Sequence, residues 1–179
     1  IAEELGGFDA HFLVPAFFEG GRITRDSIHY LMVDGVETPV HKTEFAQDSV
    51  FGYSYSYLPD YVEEKTQGRI QASEVTRLVL NDLRQGVEDK LVNLQDNQCV
   101  VVDAETQADL DIFAQNLLTV ATRGKRFLFR SAASLLTSLA QLGKQPLAAE
   151  EMTKYKQNQN AGVILVGSHV QKTTRQLEN

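Results

Sequence analysis

Val14 to Arg22 reads V-P-A-F-F-E-G-G-R, an apolar run that ends in a glycine pair and a fixed positive charge. Phe12 to Phe18 is apolar throughout apart from Pro15, the pattern of a strand covered on both faces. Gly20 and Gly21 can reach backbone angles barred to other residues and let a ligand approach the main chain closely. Arg22 offers a planar fork of donors that matches a carboxylate or a phosphate. In open α/β sheets ligands bind beyond the carboxyl ends of the strands, where this loop falls. A tight turn with a solvated arginine accounts for the same spacing equally well.

Working outward, the 179 residues suit one domain, or one domain and a piece of another, and are enough to bury a sizeable core. The formal net charge of -7 argues against nonspecific binding to nucleic acid or to an anionic membrane, which both need a basic surface. A local basic pocket for a small anion is compatible with it. Cys99 is the single cysteine, so no internal disulfide can form. It falls in the apolar run Cys99 to Val102, reads as a buried strand residue, and fits a reducing, cytoplasmic setting. No apolar run reaches the ~18 residues of a membrane span, and no signal peptide is recognisable. Ile1 to Leu5 reads as the last turns of a helix stopped at Gly6 and Gly7, so the chain is expected to begin within a domain.

The elements alternate. A hairpin follows the first strand, from Ser27 to Val33 and Val36 to Val40, around Asp34-Gly35, a strong type I′ signal. Residues 41 to 58 are aromatic and polar without a clean period and read as an irregular lobe over the sheet edge. Pro59 opens a short helix to about Lys65. Glu74 to Leu80 reads as a strand, and Leu83, Val87, Leu91 and Leu94 mark one helix over 83 to 94. Cys99 to Asp103 is the next strand. Thr106 is an N-cap for a helix over Ala108 to Arg123 closed by Gly124. Arg126 to Arg130 is a further strand, with a helix from Ser131 to Leu142 ending at Gly143. Lys154 to Asn160 reads as a linker, Val163 to Val166 as a last strand, and Thr173 to Leu177 as the start of a helix. This order predicts an α/β fold: a three-layer, mostly parallel, Rossmann-like sheet decorated by a β-hairpin.

Chemistry can sit at several strand ends. Val166 to Gln176 (V-G-S-H-V-Q-K-T-T-R-Q) places Gly167 and Ser168 between a strand and a helix, where amides and hydroxyls can hold a phosphate. An ordinary turn with Thr173 as N-cap is the better reading of those residues by themselves. Arg130 and Ser131 end another strand and reach the same sheet edge as Arg22 if the strands are parallel. Asp103 and Glu105 carry two carboxylates toward that edge, as a paired general base or, more simply, as caps of the next helix. His11, His29, His41 and His169 have no common metal spacing, and His11 and His29 read as structural. The chain holds no G-x-x-x-x-G-K-[ST], no G-x-S-x-G and no G-x-G-x-x-G. With an acidic chain, the aromatic run Phe45 to Tyr57 reads as a packed lobe rather than a base-stacking platform.

Longer motifs resemble one family, the four-carbon acid sugar kinases, long known as a domain of unknown function. The likeness rests on V-P-A-F-F-E-G-G-R-I-T at 14 to 24, H-Y-L-M-V-D-G-V at 29 to 36 and E-T-P-V at 37 to 40. It continues through F-A-Q-D-S-V-F at 45 to 51, L-P-D-Y-V-E-E-K-T at 58 to 66, F-L-F-R-S-A-A-S at 127 to 134 and V-G-S-H-V-Q-K-T-T-R-Q-L at 166 to 177. It covers nearly the whole chain.

The resemblance implies a two-domain enzyme. An N-terminal α/β domain would bind threonate, erythronate or a 3-oxo-tetronate, and a C-terminal domain would bind ATP with Mg²⁺. Residues 1 to 160 would be the later part of the sugar-acid domain, and residues 161 to 179 the opening of the nucleotide domain. Gly21 and Arg22 would line the sugar-acid site, with Arg130 and Ser131 in a recurring family segment assigned beside them. Ser168, with Gly167, would contact ATP phosphates. The partners implied are a sugar acid and ATP, with neither nucleic acid nor membrane, and a homodimer is compatible. The family's G-D-D-x-T-G and D-S-T-x-R-G-N segments and the glycine-rich phosphate loops are absent from these 179 residues, so this chain by itself is expected to be inactive as a kinase. A noncatalytic sugar-acid binding module, or a small hydrolase or isomerase using Asp103 and Glu105, are the alternatives.

Overall fold

The structure, a computed structural model, describes residues 2–142, 150–151, 163–168 and 170–178. The chain forms two compact units, Ile1–Gly143 and Lys144–Asn179.

The first unit opens with α1 (Ala2–Leu5), which stops at Gly6 and Gly7, both with left-handed backbone angles. β1 (Ala10–Val14) follows. The strand expected to reach Phe18 ends at Val14, because Pro15 has no N–H for the ladder and pushes the chain out of it. Residues 18–20 form a single 3₁₀ turn capped by Gly21 at φ 67°. A Cβ on Gly21 would stand 3.1 Å from that of Met32, so both the angle and the space favour glycine.

Arg22 then starts a strand rather than a loop. β2 (Arg22–Arg25), β3 (Ile28–Val33) and β4 (Val36–Pro39) form a separate antiparallel sheet in that order. The Asp34–Gly35 turn is as expected, with φ of 49° and 81°. A second two-residue turn at Asp26–Ser27, with φ of 52° and 62°, joins β2 to β3. Asp-Ser is a weak turn signal, which is why β2 escapes the sequence pattern.

The aromatic lobe from 41 to 58 carries two 3₁₀ turns and no regular element longer than these. After it, α2 (Leu58–Thr66) has Pro59 in its first turn, β5 (Thr76–Leu78) is short, and α3 (Leu80–Gln85) and α4 (Glu88–Val92) replace the single helix expected over 83 to 94. Gly86, at φ 92°, ends α3, and the Val87 N–H is taken by Asn116 Oδ1 at 3.1 Å. β6 (Gln98–Val102), α5 (Gln107–Ala121), β7 (Phe127–Ser131) and α6 (Ala133–Leu139) complete the unit. Thr106 caps α5 in a capping box with Asp109, as its position promised.

The main sheet runs β5-β6-β1-β7, and all its pairings are parallel. Alternation along β1 sorts its side chains to two faces. Ala10, Phe12 and Val14 join Val100, Val102, Leu110 and Phe113 in the larger core, under α3 to α6. Leu13 joins Cys99 and Val101 in a smaller core under α2, with Leu58 and Val62. The three-layer arrangement follows from that division. Phe12 is the centre of the larger core, with the rings of Phe113, Phe127 and Phe129 at 5.3–5.5 Å.

In the second unit α7 (Gln171–Glu178) forms two residues earlier than expected. The strand expected at Val163 to Val166 is not formed. These residues are exposed and have no strand neighbour among the described residues, and a lone extended segment has nothing to satisfy its ladder. The linker expected at Lys154 to Asn160, together with Gly143 and His169, lies outside the described residues.

Phe12→Ala is expected to lower the unfolding free energy by about 3–5 kcal/mol in urea denaturation, the usual cost of deleting a buried phenyl ring. A loss below about 1 kcal/mol would show that the four-ring cluster does not anchor the core.

Candidate functional site

Register brings the site together. β1 and β7 lie side by side with Leu13 opposite Arg130 and Val14 opposite Ser131, so their carboxyl ends open at one edge. Beyond that edge is a cavity of about 300 Å³. Its lining includes Leu13 and Pro15 from the end of β1, and Arg130, Ser131 and Ala132 from the end of β7. This is the position at which open α/β sheets take their ligands.

The antiparallel sheet supplies a second wall. Arg22 pairs with Leu31 and Thr24 with His29 across β2 and β3, which puts the side chains of Arg22, Thr24 and His29 on one face. Arg22 and His29 both line the cavity. The hairpin is held there by Thr24, whose N–H donates to the Ala104 carbonyl and whose carbonyl accepts from the Ala104 N–H, both at 2.9 Å. The aromatic lobe closes the third side with Phe45, Tyr53 and Tyr55, and α2 adds Tyr61.

The two arginines are held by rings, not by acids. The Arg22 guanidinium lies 4.8 Å from the centre of the Phe45 ring, and that of Arg130 lies 5.6 Å from Tyr61. Among the described residues neither arginine has a carboxylate partner. Arg25, three positions along β2 and on its other face, is bound by both Glu37 and Glu105. Tyr53 stacks edge-on against Tyr61 at 5.6 Å, and burial raises its hydroxyl above the ordinary range. His29 is also held neutral: burial, and then the nearby Arg22 charge, push it down to about 4, against a smaller opposing pull from the Ile23 carbonyl. The cavity therefore carries two fixed positive charges and neutral hydrogen-bonding groups around them.

Of the residues singled out from sequence, Arg22, Arg130 and Ser131 share this cavity. Gly21 does not: it lines a separate groove of about 260 Å³ with Tyr30, Met32 and Glu105, and its local task is the turn before β2. His29, Phe45, Tyr53 and Tyr61 belong to the cavity as well, although the sequence pattern read His29 as structural and Phe45 and Tyr53 as part of a packed lobe. The signal for His29 is the alternation of Arg22, Thr24 and His29 across the hairpin, which has meaning only once the Asp26–Ser27 turn sets the register.

Asp103 and Glu105 do not face Arg22, and neither lines the cavity. Glu105 is bound to Arg25 and lies 3.6 Å from Arg84. Asp103 is fully buried, accepts the Ser27 N–H at 2.8 Å through Oδ1, and has no partner at Oδ2. The paired-base chemistry expected of them as a hydrolase or isomerase has no support in this geometry. Burial raises the Asp103 carboxyl to about 6, with the Ser27 amide pulling the other way.

In the second unit, Ser168 Oγ lies 3.0 Å from Thr173 Oγ1 and accepts from the Val170 N–H at 3.4 Å, just ahead of α7. Gly167 precedes it with open space where a Cβ would stand. No group of three or more His, Cys, Asp or Glu side chains suited to a metal ion occurs among the described residues. No helix among them is long and apolar enough to cross a membrane.

Comparison with known proteins gives three kinds of result. A family model described as the sugar-binding N-terminal domain matches residues 1–139. A Haemophilus influenzae protein of family DUF1537 superposes with a TM-score of 0.57 at 16% identity, over 80% of this chain and 33% of its own. A Salmonella typhimurium LT2 protein provisionally named a tRNA synthase gives 0.57 at 18% identity, over 78% and 31%. A DUF1537 protein of Bordetella bronchiseptica, a domain-swapped dimer with bound citrate, gives 0.51 at 24% identity, over 75% and 30%. The chain spans about a third of the length of these solved proteins, and at such identities the likeness is one of fold. No curated protein matches the chain.

Asp103→Asn tests the buried carboxyl. Because its folded value is raised, the native state favours the protonated form, so this group's contribution is full below about pH 4 and is lost as pH rises through about 6. The variant, which does not titrate, should gain on the wild type by on the order of 2–3 kcal/mol between pH 3.5 and 7 in urea denaturation. A pH-independent difference would mean that Asp103 titrates normally.

Proposed function

Since the chain belongs to the family of sugar-binding N-terminal domains, matched over residues 1–139, we propose that it binds a four-carbon sugar acid in the two-arginine cavity. In this reading it is the acid-binding part of an ATP-dependent kinase acting on threonate, erythronate or a 3-oxo-tetronate. The observation that carries the reading is the pair Arg22, at the start of β2, and Arg130, near the end of β7, which line one cavity and are seated on aromatic rings without a carboxylate partner among the described residues. An arginine already held by a ring keeps its donors for a ligand and loses little freedom on binding one. Ser131, also in the lining, adds a hydroxyl for the sugar's own hydroxyls. The citrate of the Bordetella bronchiseptica neighbour is consistent with a small carboxylate as ligand.

Phosphoryl transfer depends on positioned charge more than on covalent chemistry by the protein. ATP would supply the phosphoryl group. Ser168 and Gly167 are the residues proposed to meet its phosphates, on the family likeness and on their place just ahead of α7. The same cavity would serve a noncatalytic sugar-acid binding module equally well. Phosphorylation by the longer parent protein, assayed as ATP consumed with each four-carbon acid and Mg²⁺, separates the two.

Titration calorimetry with threonate and erythronate tests the site directly. Arg22→Ala and Arg130→Ala should each weaken binding about ten- to a hundredfold, the worth of a hydrogen bond to a charged group, with the thermal midpoint little changed. Unaltered affinity in both variants would reduce the arginines to surface charges.

A further inference from the structure

His29 stands out among the cavity residues because it is the one titratable side chain there that is almost fully buried, at 8% exposure. Its ring is fixed. Nδ1 lies 3.0 Å from the Thr24 hydroxyl, and Thr24 is itself fully buried with its N–H and carbonyl both bonded to Ala104. The His29 N–H donates to the Ser56 carbonyl at 2.8 Å, so the backbone under the ring is also tied down. Burial and the Arg22 charge keep the imidazole neutral, which makes it unlike the two arginines.

That difference decides what it can read. With Nδ1 engaged by Thr24, the other ring nitrogen has a single hydrogen-bonding role. It donates if Thr24 donates to Nδ1, and it accepts if Thr24 accepts. A hydroxyl satisfies either role, whereas a carboxylate satisfies only the first. The carboxylate already has two permanent cations to meet. We infer that Nε2 of His29, oriented by Thr24, reads a hydroxyl of the bound acid and is the specificity-determining group of the cavity, with Thr24 as its positioning residue. This inference rests on the sugar-acid reading of the cavity.

Calorimetry on the full chain, with threonate and with butyrate as the same carbon chain lacking hydroxyls, tests it. Wild-type protein should prefer threonate, and His29→Asn should weaken threonate about tenfold while leaving butyrate unchanged. Thr24→Val should reproduce that selective loss without touching the ring, and Thr24→Ser, which keeps the hydroxyl, should restore threonate affinity. These two variants decide the matter even if His29→Asn does not fold. Equal loss for both acids, or no loss for threonate in Thr24→Val, overturns the role of His29 while the arginine site stands. Failure of wild-type protein to bind either acid overturns the sugar-acid reading itself, and the inference with it.

Discussion

The paired backbone hydrogen bonds between Thr24 and Ala104 join the antiparallel hairpin to the end of the parallel sheet, and the cavity depends on them. β6 delivers Ala104 just beyond its last ladder position, and Asp103 beside it receives the Ser27 amide from the hairpin turn. Leu58 N–H donates to the Ser27 carbonyl at 2.7 Å, and Arg77 Nε to the Ser27 hydroxyl at 2.7 Å, so the same turn also fixes the start of α2. One tight hairpin therefore sets where Arg22, His29 and the α2 aromatic Tyr61 stand relative to β1 and β7. The cost is a buried carboxylate with one unsatisfied oxygen, which a fold retains only where the link it makes is needed.

The arginines of the first unit differ in whether an acid holds them, while ring contacts are common to several, including Arg25 over Tyr30. Arg25 and Arg84 are tied to Glu105, Glu37 and Asp109, and those pairs knit surface elements together. Arg22 and Arg130 sit instead on Phe45 and Tyr61. A ring orients a guanidinium without neutralising it, so two like charges converge on one cavity in an acidic chain. In the proposed reading, an anion in the cavity would meet both charges.

Much of the fold was legible because its signals are local. The apolar runs of β1 and β6, the Asp34–Gly35 turn, Pro59 in the first turn of α2 and Thr106 at the head of α5 each act within a few residues. The failures are also local in cause. Pro15 cut β1 short, Gly86 divided one expected helix into two, and Asp26–Ser27 made a turn from residues with a weak preference for it. Of the candidate site, Arg22, Arg130 and Ser131 were found as strand-end residues, while His29 and the aromatic wall were not, because their place depends on cross-strand register and on how an irregular lobe packs.

By itself, the amino-acid sequence determined the α/β class, the parallel alternation and the presence of arginines at strand ends, since periodicity and turn chemistry are written in neighbouring residues. Only the tertiary structure decided that Arg22 begins a strand, that Gly21 faces a different groove, and that Asp103 clamps a turn instead of facing a ligand. It also decided that Arg22 and Arg130, 108 positions apart in the chain, share one cavity. The physical reason is that strand order and register are non-local. They follow from which faces can be buried together and which hydrogen bonds close the hairpin onto the sheet, and no short window of residues contains both partners of those contacts.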